Sequence, residues 1–178
     1  MKLARSLVPA TLAVLLASPA LAHPGHGAVT LGAGILHPLT GLDHLLAMLA
    51  VGVVAARRGG QAMWLWPAGF VAAMLAGYGL GLALPGSPLF EPGVLASVII
   101  LGALVAAQGR VPMALGVVLM SAFGLCHGYV HGAESPASAG LAFPLGFALT
   151  TAALHATGLA MGLAARRRVP ARVRTGRR

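Results

Sequence analysis

Two short stretches, His37-Pro-Leu-Thr-Gly-Leu-Asp43-His44 and Cys126-His127-Gly-Tyr-Val-His131-Gly-Ala-Glu134, concentrate the chemistry of an otherwise oily chain. The 178 residues include only three acids and seven histidines, and two of the acids and four of the histidines fall in these stretches. Placing an ionisable group in hydrocarbon costs several kcal/mol or more, so residues of this kind mark a functional site by default. Imidazole and carboxylate together are the donor set of a divalent transition metal.

On one helix His37 and His44, seven apart, would differ by about 20° in direction and share a face. Asp43 would point about 100° away from His44. It completes a site if the helix is distorted, or else orients a ligating imidazole from behind. Pro38 removes a backbone hydrogen bond and Gly41 loosens the chain, so a distortion is expected between them. His127, His131 and Glu134, spaced four and three, lie on one helical face. The two imidazoles form a bidentate clamp there, with the carboxylate as a third ligand or a helix-end residue meeting the interface. Cys126 and Met48 are candidate soft ligands whose alternative is packing. His155, with Thr150, Thr151 and Thr157 nearby, fits a ligand, a proton acceptor or a hydrogen-bonded helix bridge. His23 and His26 form a candidate ion-catching tip or a plain tail. In the topology below, His131 and His127 are expected near the outer face, His37 a few turns in, and His44 and His155 near mid-membrane. That order makes a descending chain of imidazoles.

The elements that must position these residues are membrane helices. Apolar residues make up 58% and charged residues 8%, against roughly a quarter charged in a soluble domain. The net charge of +9 does not indicate nucleic acid, because the arginines lie between apolar runs and in the tail, where they set topology. The single cysteine excludes an intrachain disulfide. Residues 1–22 read as a cleavable signal peptide, with Lys2 and Arg5, an apolar stretch from Leu7 to Leu16, and Ala20-Leu21-Ala22. Residues 23–165 then form the transmembrane domain, and 166–178 a basic tail. Spans are expected at roughly 29–56, 63–84, 93–109, 111–130 and 140–165, an all-α integral membrane bundle of about five helices. Arg57, Arg58, Arg110 and the tail follow the first, third and fifth spans. The mature N-terminus is therefore expected outside and the C-terminus in the cytoplasm, across an inner (cell) membrane. Trp64 and Trp66 fit an interfacial belt. Gly77 and Gly81, the series Gly124, Gly128 and Gly132, and Gly158 and Gly162 recur at a spacing that lets helix backbones approach.

With these residues in place, the chain resembles the HupE/UreJ family of membrane nickel or cobalt permeases. The family's first pattern is met by His37, Asp43 and His44, and its second by His127, Gly128, His131, Gly132 and Glu134. Cys126 stands where the family usually carries Phe, which bears on nickel against cobalt; Val130 stands where Ala or Val is found. The resemblance covers nearly the whole chain. It implies uptake of Ni²⁺ or Co²⁺ as transported substrate, with no permanently bound cofactor, no enzymatic activity, and the metal ion and lipid bilayer as partners. No phosphate-binding loop with Lys-Ser/Thr is present to hydrolyse ATP. Two other classes are weighed against it: an intramembrane metal-dependent hydrolase using His127, His131 and Asp43 with Glu134 as base, and a bis-histidine haem anchor. The sequence is silent on oligomeric state, a homo-oligomer included.

Overall fold

The computed structural model describes residues 30–107, 110–136 and 138–168, and regular structure among them is helical. The expected signal peptide, His23, His26 and the tail beyond Arg168 lie outside these residues. The helices are α1 (Leu31–Thr40), α2 (Leu42–Arg58), α3 (Ala62–Ala83), α4 (Phe90–Ala107), α5 (Met113–Glu134) and α6 (Ala142–Arg168). Helices α3 to α6 are each long and apolar enough to cross a membrane; α1 and α2 qualify only together, bent by 83° at their break in the manner of a broken span or a re-entrant loop. Four to five spans result, in line with the sequence.

The bend is the main departure from a plain bundle. Pro38 lies inside α1 and withholds a backbone donor from the turn before it. The helix ends three residues later at Gly41, whose ψ of 113° is extended. At the break the His37 carbonyl accepts from both the Thr40 hydroxyl and the Gly41 amide, so this end of the helix is satisfied. The chain restarts at Leu42 with Asp43 in the first turn of α2, where the helix dipole favours a negative charge. Thr30 caps the start of α1 by accepting from the Ala33 amide, and Thr150 of α6 donates to the Ile35 carbonyl.

Two tightly apposed bodies make up the bundle, and glycine lets each close. In the first, α3 packs on α5. A methyl group at Gly124, Gly128 or Gly132 would collide with the carbonyls of Phe70, Met74 or Tyr78. In return, one at Gly77 or Gly81 would collide with Leu125 or Tyr129. In the second body, α6 runs along both α1 and α2. Gly34 and Gly146 interlock α1 with α6, and Gly52 and Gly158 interlock α2 with α6, again backbone to backbone. Helix α4 packs on α2 and α5 and links the two bodies. Backbones this close gain dispersion contact that lipid cannot replace.

All the helix ends that carry arginine meet at one end of the bundle. Arg166 donates to the Ala56 carbonyl at the end of α2, and Arg57 donates to the Leu104 and Val105 carbonyls at the end of α4. Trp64 is exposed there, as an interfacial residue should be, whereas Trp66 is fully buried. Trp66 fills the space over Gly116 and donates its indole N–H to the Met113 carbonyl. It therefore joins α3 to α5 and does not belong to an interfacial belt.

Candidate metal centre

The break at Gly41 turns α2 away from α1 and brings the two histidines on either side of it together. The rings of His37 and His44 lie 5.2 Å apart between centroids. His131, one turn from the end of α5, comes in from the other body, 4.3 Å from His37 and 4.9 Å from His44. One ligand atom from each of these three side chains falls within 4.8 Å of the other two. Imidazole Nε2 or Nδ1 atoms at such mutual distances can converge on one cation with metal–nitrogen bonds of about 2.1 Å. Phe143 and Phe147 of α6 wall the cluster, with the Phe147 ring 5.7 Å from His37, 6.0 Å from His44 and 5.0 Å from His131. Apolar rings there restrict access of water to the donors.

The proton positions follow from the partners. Asp43 Oδ1 lies 3.0 Å from His44 Nδ1, and a carboxylate only accepts, so Nδ1 carries the hydrogen and Nε2 is left with its lone pair. That Nε2 faces His131 Nε2 at 2.8 Å, a distance that requires one proton between them, donated by His131. A cation bound here would take the place of that proton, and the hydrogen of His131 would then reside on Nδ1, which lies 3.8 Å from Glu134 Oε2. Asp43 contacts His44 on the side away from His131 and is not one of the three side chains that converge.

His127 sits one turn further along α5 toward the arginine-bearing end. Its ring centroid is 4.9 Å from that of His44, yet it is not among the three convergent side chains. Its Nε2 is 2.9 Å from Ser97 Oγ, while the Ser97 hydroxyl donates to the Val94 carbonyl at 2.6 Å. With the hydroxyl proton engaged, Ser97 accepts from His127, so Nε2 carries the hydrogen and Nδ1 the lone pair. His155 is buried on α6 against Phe70, outside the cluster. Cys126 is half-buried and its sulfur packs beside Gly93 of α4, which fits the packing alternative. Met48 is fully buried in the core.

The expected descending order of the imidazoles changes for three of them. His37, His44 and His131 form one cluster at the level of Phe143 and Phe147, because the bend shortens the distance that an unbroken first helix would have put between them. Glu134 is the last residue of α5, half-exposed. Together with Glu91, Ser87 and Tyr129 it lines a pocket of about 350 Å³ at the end away from the arginines. Neither Glu91 nor Ser97 belongs to the two motif stretches of the sequence. The signals were present in both: Glu91 is one of three acids, and Ser97 interrupts an otherwise apolar helix.

Residues 11–176 match the family model described as HupE / UreJ protein. Protein HupE of Rhizobium leguminosarum bv. viciae is 40% identical over 159 residues, spanning 88% of this chain and 83% of that protein. No solved structure matches.

Proposed function

The chain belongs to the HupE/UreJ family, and from that premise we propose that it is a membrane permease carrying Ni²⁺ or Co²⁺ inward. The observation that carries this reading is the convergence of His37, His44 and His131 from three helices, with His44 held in a ligating tautomer by Asp43. Three imidazoles with carboxylates behind them suit late first-row divalent ions better than Mg²⁺ or Ca²⁺, which prefer oxygen. The ion is substrate here, held in passing.

The route begins in the pocket lined by Glu91 and Glu134, which raises the local concentration of cations. It continues through His131, His37 and His44. With the arginine-bearing end in the cytoplasm of an inner membrane, an inside-negative potential contributes about 2.3 kcal/mol per charge per 100 mV. For a dication that doubles, enough to draw the ion inward without ATP. No observation favours the hydrolase alternative, whose general base, Glu134, sits half-exposed at the outer end of α5.

Uptake of radioactive nickel into cells expressing the protein, with cobalt as competitor, tests the proposal. His44→Ala and His131→Ala each reduce accumulation to the level of cells without the protein, while membrane insertion is unchanged. Wild-type accumulation in both variants would remove the three-histidine centre from the transport path.

A further inference from the structure

Two buried imidazoles lie beyond the cluster on the side of the arginines, and the three-histidine centre leaves both unused. His155 is eight residues past Phe147 on α6, about 12 Å along the helix axis. His127 is one turn past His131 on α5. Both rest against the same ring: Phe70 is 5.6 Å from His127 and 5.1 Å from His155 between centroids. His155 is 1% exposed, and neither of its ring nitrogens has a hydrogen-bond partner among the described residues. His127 is fully buried, and Nδ1, the nitrogen that Ser97 leaves with the lone pair, also has none.

Buried polar atoms without partners are uncommon and costly. A phenylalanine or leucine would fill the space of His155 without that cost, so packing gives no reason for imidazole here. Among the described residues, no hydrogen bond ties either ring nitrogen of His155, or Nδ1 of His127, to a neighbouring helix. What remains is a pair of nitrogen donors in an apolar surround, the donor type that suits a divalent transition cation.

Resting on the permease reading, we infer that His127 Nδ1 and His155 form a second, inner station for the transported cation, which passes around the Phe70 ring from the outer centre. Transport through several sites lets capture be firm while release stays possible, since no one site must do both. A second dication entering the outer centre repels the one ahead of it and speeds its departure.

Co²⁺ binding to the full-length protein, purified in detergent and followed by its visible absorption bands, tests the inference. The H44A/H131A double variant retains a Co²⁺ spectrum of its own, and adding His155→Phe abolishes it. In cells, His155→Phe alone lowers nickel uptake about tenfold or more while the outer centre still binds Co²⁺. Any of three results overturns the inner station: no Co²⁺ in the double variant, a spectrum that survives His155→Phe, or uptake by His155→Phe at the wild-type rate. His155→Gln is run alongside, and failure of both variants to insert would assign the residue to packing and overturn the inference. If the wild type neither binds nor imports metal, the permease reading falls and the inner station with it. If the wild type does both and one of those results appears, only the inner station falls.

Discussion

At the scale of single residues, the sharpest constraint is the pairing of Asp43 with His44. The carboxylate fixes which nitrogen of His44 is free, so Asp43→Asn leaves the size of the side chain but offers the imidazole an ambiguous partner. Loss of an orienting carboxylate behind a metal-binding histidine weakens binding by about 10- to 100-fold. Equilibrium binding of Ni²⁺ to purified Asp43→Asn is expected in that range, with insertion intact; unchanged affinity would mean that Asp43 does not orient His44. The i, i+4 spacing of His127 and His131 was legible in the sequence, and so was the orienting role open to Asp43. What spacing alone could not show is that His131 meets His37 while His127 turns to Ser97. That division depends on which helix lies against each side of α5, a tertiary fact with no local signature.

Elements were easier to read than residues. Four of the five long apolar runs became single helices, with ends displaced by a few residues, and the first became two. The glycine series on α5 did mark a contact with a neighbouring backbone, since close approach depends on small residues at one face, which the sequence displays directly. Pro38 and Gly41 flagged a distortion in the first run. Its size of 83° was not legible, because it reflects how α6 grips α1 and α2 separately through Gly34–Gly146 and Gly52–Gly158. Gly128→Val is expected to destabilise the α3–α5 pair by about 1–3 kcal/mol, the usual cost of overpacking. The check is a lowered midpoint of thermal unfolding in detergent. Gly102→Ala, where an added Cβ meets nothing within 4 Å, is the control and leaves the midpoint in place. Equal midpoints for the two would mean that the backbones part at little cost.

Across the whole molecule, composition and arginine placement disclosed the membrane class, and the helix ends bearing Arg57 and Arg166 do meet at one end. Proton and metal compete for the same imidazole lone pairs, so acid weakens capture at any centre built from histidines. With the membrane potential clamped, lowering the external pH by about two units from neutral is expected to reduce initial uptake. Stimulation by acid would instead point to protons travelling with the metal. The division of the bundle into two glycine-locked bodies reaches further than packing. His131 belongs to one body; His37, Asp43 and His44 belong to the other. An ion held by all three imidazoles would thus sit as a rivet through the seam, tied to both bodies at once.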